Sequence, residues 1–349
     1  MTERSQMFNV LTDEPVKRRR TRKKKRTTAK VLVFFLALVL AAAGVGGWFL
    51  WSLSSAFDSR SEKISNAFPS EVNRPAAAEG KGLNILLLGS DSRAASDAAD
   101  ADVPDNARSD TLILAHIPQD RSAVYFTSIM RDTWVDIPGR GPAKINAASA
   151  FGGSALTVQT IESLTGARID NVMRIQFEGF KSLVDALGGV TVNVPFGYQA
   201  TTVDRAFAAG PQNMDGETAL AFVRERYAFA DGDYQRVRNQ QAFLKGVFAK
   251  IASRDVLLDP GKISNMVTEF APFVAVDQNF NAGAIGSLGL SLRNVGANQM
   301  YFATLPNLGT GTSPDGQSIV LPDDQAIQQF GSALRDDAVG SFFAGLGKS

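Results

Sequence analysis

The chain has 349 residues, 44% hydrophobic and 20% charged, with no cysteine and a single histidine, His116. That length holds one large domain or two small ones plus extensions, with the composition of a folded protein. The absence of cysteine excludes disulfides, thiolate zinc sites and cysteine nucleophiles; one histidine inside an apolar run argues against Ser-His-Asp hydrolysis and histidine metal centres.

The formal net charge of +1 conceals a division. Residues 1–30 carry 11 basic and three acidic side chains, whereas the rest of the chain carries 25 basic and 32 acidic ones. The acidic remainder disfavours nonspecific nucleic-acid binding, so arginines clustered within it ask for a specific anion.

Residues 17–26 read KRRRTRKKKR, and residues 31–53 contain no charge. As a helix, that stretch spans roughly 34 Å, enough to cross a bilayer core. Trp48 and Trp51 stand near its outer end, where indoles favour the interface, and the basic run predicts a cytoplasmic N-terminus. The stretch is too long for a cleaved signal peptide and has no small-x-small exit before Trp48. The expected organisation is a basic cytoplasmic tail (1–30), a transmembrane helix (31–53), a juxtamembrane linker (54–80) that lifts the domain off the bilayer, and an extracellular domain (81–340). This places the protein in the cell membrane as a single-pass species.

Beyond the linker, 83–89 reads as a buried strand ending at a glycine, and 111–117 and 123–129 as two more strands split by a turn at 118–121. Residues 91–109, rich in Asp and Ala, read as a long surface loop. Helices are expected at 154–164, 177–187, from 219 through 223, at 234–252 and near 323–338. Strands are expected at 171–176, 190–194 and 299–304, and a loop at 308–317. The interleaving predicts an α/β fold, a central mixed β-sheet flanked by helices, behind one N-terminal transmembrane helix.

Chemistry collects at the strand ends. Asp91 and Arg131 follow their strands and Asp110 precedes its own, so all three reach one sheet edge if the middle strand is antiparallel. Two carboxylates with arginines suit a divalent metal and a phosphate; taken singly, Asp91, Asp110 and Asp132 are better read as turn and cap residues. A second cluster holds Arg224 and Arg226, then Asp233, Arg236 and Gln240. Arg236 and Gln240 share a helical face. Arg224 and Arg226 would point about 200° apart on a helix but to one side on extended backbone, so a shared ligand requires the helix to unwind there. Composition leaves the cluster open between a solvated face and an anion site.

In this order, residues 84–93 (NILLLGSDSR), 108–117 (RSDTLILAHI), 127–139 (TSIMRDTWVDIPG), 144–153 (KINAASAFGG), 177–195 (FEGFKSLVDALGGVTVNVP), 214–227 (MDGETALAFVRERY) and 233–246 (DYQRVRNQQAFLKG) resemble the LytR-CpsA-Psr family of cell-envelope glycopolymer transferases. The resemblance covers about half the chain; residues 256–349 match less distinctly. It implies an α-β-α catalytic domain that moves a glycopolymer from a polyprenyl pyrophosphate carrier onto peptidoglycan, forming a phosphodiester. It implies that Asp91 and Asp110 bind Mg2+, that Arg93, Arg131, Arg224, Arg226 and Arg236 grip the pyrophosphate, and that Gln240 and Lys144 add polar contacts. Arg131, Asp110 and Asp91 would then be the catalytic set, with Asp91 and Asp233 the candidates for taking the acceptor proton. An apolar groove for the carrier lipid is implied, with Phe151, Phe177, Phe180, Phe222, Phe229, Phe243 and Phe248 in or near the motif region. The alternatives are a lipid-pyrophosphate hydrolase and a membrane-bound transcriptional attenuator.

Overall fold

The computed structural model describes residues 44–77, 82–90 and 109–346, and contacts divide the chain into Met1–Ser52 and Leu53–Ser349. In the first unit residues 44–52 are helical. Among the described residues no helix is long and apolar enough to cross a membrane; residues 31–43 of the expected transmembrane stretch lie outside them.

The second unit opens with helical residues 53–60 (α1) and a short strand β1 (Glu62–Ile64). Then follow β2 (Leu83–Ser90), β3 (Ser109–Ile117), β4 (Val124–Ile129), the hairpin β5 (Trp134–Ile137) and β6 (Gly141–Lys144), and helix α2 (Ala147–Thr165). Next come β7 (Asn171–Gln176), α3 (Phe177–Ala186), β8 (Val190–Val194), the small pair β9 (Tyr198–Gln199) and β10 (Ala206–Phe207), β11 (Gly210–Met214), α4 (Gly216–Arg224) and α5 (Asp233–Ile251). The C-terminal part adds α6 (Arg254–Leu257), α7 (Pro260–Phe270), β12 (Val274–Asp277), α8 (Ala282–Ser291), β13 (Met300–Thr304), β14 (Asn307–Thr312), β15 (Ser318–Pro322), α9 (Asp324–Arg335) and α10 (Val339–Leu346).

Seven strands form one mixed sheet in the order β1-β12-β7-β2-β3-β4-β13. The apolar runs of β2 and β3 are continuous because both sheet faces are covered. Leu86, Leu88, Leu112 and Leu114 face α2 and α9, where Ile161, Ile327 and Phe330 are buried; Ile85, Ile113 and Ala115 face the other way, toward Leu244, Phe270 and Leu288. Alternation along a strand thus serves two cores and yields the expected helix-sheet-helix layering. Strands β2 and β3 are antiparallel, as are β3 and β4, so the ends of β2 and β4 and the start of β3 share one edge. A third core packs α3, α4 and α5 against β8 and β11 through Val184, Val192, Phe222 and Phe243.

Two features depart from expectation, and one agrees with it. Segment 307–322, read in part as a loop, is the hairpin β14–β15: glycines at 309, 311 and 316 mask its strand pattern. His116 is buried as expected, and its Nδ1 lies 2.8 Å from Asn84 Oδ1 and its Nε2 3.0 Å from Asp337 Oδ1. Residues 54–77 are part of the folded unit rather than a free spacer. Strand β1 pairs parallel with β12, Phe57 and Ala67 enter the core, and the Arg74 side chain is buried against Glu162 with Nη2 to Oε1 at 2.7 Å. The same Oε1 accepts from the Ile169 backbone N–H at 2.9 Å.

Removing one partner of a buried pair leaves the other's charge uncompensated. Glu162→Gln is therefore expected to lower the unfolding free energy by about 3 kcal/mol, measured by urea denaturation. Glu162→Gln combined with Arg74→Met should lose less than the single change; equal losses would refute an ionic origin.

Candidate functional site

The sheet edge shared by β2, β3 and β4 opens into a cleft of about 490 Å3 beneath α3, α4 and α5. Its floor is Leu87, Gly89, Thr111 and Ile113, and its apolar walls include Phe177, Phe180, Leu220, Phe243 and Leu244. Arg131, Arg224, Arg226, Arg236 and Gln240 also line it. Residues from two distant stretches of sequence thus meet at one place.

Helix α5 supplies Arg236, Gln240, Phe243 and Leu244 at the i, i+4, i+7, i+8 spacing of one helical face. Its start requires Gly232, whose φ of +46° is unfavourable for residues with a side chain. Asp233 follows in the first turn, where the helix dipole favours a carboxylate. That carboxylate gathers three guanidinium groups: Arg236 Nη2 at 2.7 Å, Arg226 Nη1 at 3.6 Å and Arg131 Nε at 3.7 Å. Gln240 Nε2 donates to Thr111 Oγ1 at 3.2 Å and the Val223 carbonyl at 3.4 Å, tying α5 to the cleft floor and to α4.

Arg131 emerges from β4, and its Nε also lies 3.7 Å from Asp132 Oδ2. Lys144 Nζ holds Asp132 Oδ1 at 3.2 Å and is not among the residues that line the cleft. The C-terminal hairpin braces this turn: Val320 N–H donates to the Asp132 carbonyl at 2.9 Å, and Val320 packs with Met130, Val237 and Tyr234. Residues beyond 256, where the resemblance is less distinct, thereby brace the Arg131 turn.

Helix α4 begins at an Asp215 cap whose side chain accepts from Thr218 N–H, and Gly216 is obligatory because a Cβ there would lie 2.6 Å from the Lys181 carbonyl. The helix stops at Arg224: Glu225 is extended, with φ −64° and ψ 131°. The unwinding demanded by two arginines serving one ligand is present, and both line the cleft while Glu225 is fully buried. Arg224 stacks over the Phe177 ring at 4.8 Å and Arg226 over Tyr227 at 4.5 Å, contacts that steer the guanidiniums without neutralising them.

Glu225 is the residue that sequence reasoning missed. Its Oε1 accepts from the backbone N–H groups of Arg226 and Tyr227, both at 2.9 Å, of Ala228 at 3.2 Å, and from the Thr201 hydroxyl at 3.0 Å. Its Oε2 accepts from Thr201 N–H at 2.7 Å and from Thr202 N–H and hydroxyl, both at 3.4 Å. The only sequence signal was an acid between two arginines that must share a side.

Asp91 and Arg93 lie outside the described residues, as does the side chain of Asp110. The backbone of Asp110 belongs to β3, at a bulge: Gly89 pairs with Thr111 and Ser90 with Ser109, leaving position 110 as the extra residue beside the cleft floor. Among the described residues no group of three His, Cys, Asp or Glu side chains could hold a metal ion. Of the phenylalanines, Phe177, Phe180 and Phe243 line the cleft; Phe222 and Phe248 are core, Phe229 packs on Phe196 and Tyr198, and Phe151 is exposed beneath Arg140.

Burial pushes the Glu225 carboxyl up, but the hydrogen bonds from Thr201, Ala228 and Thr202 outweigh it and lower the pKa from 4.5 to about 2. A carboxyl depressed in the folded state stabilises the fold fully above pH 4.5, and that contribution is lost as pH falls toward 2. The effect is at most about 3 kcal/mol. Urea denaturation at pH 5.5 and at pH 3 should therefore show a larger stability loss for the wild type than for Glu225→Gln; parallel losses would exclude it.

The LytR_cpsA_psr family model matches residues 49–336. A curated relative, the polyisoprenyl-teichoic acid–peptidoglycan teichoic acid transferase TagU of Enterococcus faecalis, is 30% identical over 86% of this chain and 93% of its own length. The probable cell wall biosynthesis protein LcpB of Corynebacterium glutamicum is 34% identical over 61% of this chain and 52% of its own. Among solved structures, TagT bound to LI-WTA superimposes with a TM-score of 0.58 at 26% identity, covering 76% of this chain and 95% of that one. Bacillus subtilis TagV gives 0.62 at 24% identity over 74% and 98%, a likeness of fold. With a match that spans the sheet, the cleft and the C-terminal brace, the chain belongs to the LytR_cpsA_psr family.

Proposed function

We propose that the cleft holds the pyrophosphate of a polyprenyl-linked glycopolymer and that the protein transfers the polymer to peptidoglycan as a phosphodiester. The observation that carries this reading is the amphipathic cleft itself. Arg131, Arg226 and Arg236 converge on one carboxylate, and apolar walls from α3, α4 and α5 continue from them. A lipid pyrophosphate presents the same sequence of chemistry, multiple anionic oxygens followed by hydrocarbon. The names of TagU and of the TagT complex support the same substrate class, teichoic acid and peptidoglycan in the first case and WTA in the second.

In phosphoryl transfer a protein mainly positions the groups and offsets charge on the transferring phosphorus. Arg131, Arg226 and Arg236 would take the phosphate oxygens in place of part of their present contact with Asp233, and Arg224, stacked on Phe177, would stand at the junction of anion and lipid. Gln240 holds the floor at Thr111 while substrate binds. Asp233, which pairs with three of the arginines, and Asp91 are the candidates for accepting the proton of the attacking sugar hydroxyl. The leaving group is a lipid monophosphate.

We further propose that Asp91 and Asp110 hold Mg2+. The donor set suits it, because Asp110 occupies the bulge beside the cleft floor and magnesium takes one or two carboxylates together with substrate oxygens. When bound, the ion would neutralise part of the pyrophosphate charge. The apolar stretch 31–53 is proposed to anchor the chain with the catalytic unit outside the cell, which brings the site to its membrane-borne substrate at high effective concentration.

Full-length protein in liposomes, given a polyprenyl-pyrophosphate glycan and peptidoglycan oligomers, should form a covalent adduct through phosphate. Arg236→Ala is expected to slow transfer by roughly 100-fold or more without loss of the cooperative melt. Free glycan without adduct would convert the reading to hydrolysis, and wild-type rates in the variant would overturn it. Chelation followed by Mg2+ should remove and restore transfer in the wild type; transfer that persists after chelation would reject the metal.

A further inference from the structure

The proposed reaction assigns no task to Glu225, yet this buried side chain lies between two cleft arginines and bonds two separate segments. One segment is its own: three successive N–H groups of Arg226, Tyr227 and Ala228 fold back onto Oε1. That turn keeps the chain from continuing α4, so Arg224 and Arg226 emerge on one side and Glu225 on the other. The second is residues 201–202, whose backbone and hydroxyl groups reach both oxygens. Thr202 and its neighbour Val203 line the cleft.

We infer that Glu225 is a positioning residue that sets the spacing of Arg224 and Arg226 and, through the same carboxylate, seats the 201–203 segment at the cleft, so that the anion site and its rim are assembled together. The inference rests on the pyrophosphate reading above. A carboxylate is required because both oxygens face donors. A glutamine would turn its NH2 group either toward the 226–228 amides or toward the 201–202 amides, and one of the two attachments would be lost whichever way the amide flips.

The test uses the full chain in detergent, with farnesyl diphosphate as the probe titrated by calorimetry and hydrogen exchange read by mass spectrometry. Glu225→Gln should keep a cooperative melt, exchange faster at 201–202 or at 226–228, and bind the probe roughly tenfold more weakly, as misaligned charge-assisted contacts imply. Faster exchange with wild-type affinity would make Glu225 a purely structural residue and overturn the inference, as would unchanged exchange. Arg236→Ala is the control. If the wild type does not bind the probe, or Arg236→Ala binds it equally well, the pyrophosphate reading itself fails, an outcome distinct from a Glu225 variant that binds normally beside a functional wild type. Should Glu225→Gln not fold, Thr201→Ala removes only the hydroxyl that donates to Oε1. It is expected to weaken binding in the same direction by a smaller factor, and unchanged affinity would again overturn the inference.

Discussion

Guanidinium groups brought within a few ångströms of one another repel strongly in a partly dry cleft, and the architecture of this site follows from how that repulsion is answered. Asp233 answers it from within the cluster, touching Arg131, Arg226 and Arg236 at once. One carboxylate does not balance three cations, and Asp132 beside Arg131 is itself shared with Lys144, so the cluster keeps a net positive charge. The N-terminus of α5 holds Asp233 by its dipole, and a left-handed glycine lets the chain turn into that helix.

Everything around the cluster serves to hold the arginines against that residual repulsion. The mixed sheet presents its β2, β3 and β4 ends at one edge because β3 runs opposite to its neighbours. The C-terminal hairpin clamps the turn after β4 through Val320 and Asp132. Glu225 stops α4 after Arg224 and carries its charge away from the cleft. Arg224 and Arg226 stack on Phe177 and Tyr227, while Arg131, Arg226 and Arg236 are held by their ion pairs with Asp233.

Much of this was legible in the sequence because it depended on local pattern. Strands β2, β3, β4, β7 and β8 declare themselves as apolar or β-branched runs, α5 by its period, and the unwinding at Arg224 by two like residues at a spacing that suits only extended chain. What was hidden depended on distant pairing. Glu225 could be ranked only once residues 201–202 were known to lie beside it. Lys144 was assigned a polar contact by resemblance alone, and its pairing with Asp132 could not be read from the sequence. The β14–β15 hairpin was read in part as a loop because its glycines suit a turn as well as a strand. Segment 54–80 was read as a spacer because its strand is three residues long and its one buried arginine looks, in isolation, like any surface cation.

That short strand has a practical consequence for handling the protein. Cutting the chain at residue 81, the expected start of the domain, would strip β1 from the outer side of β12. It would expose the edge of β12, with the buried side chains of Val274, Ala275, Val276 and Asp277, and leave Glu162 without Arg74. A bare edge of that kind recruits strands from other molecules. Fragments that begin ahead of α1 keep the edge covered, so solubility on purification depends on where the N-terminal cut is made.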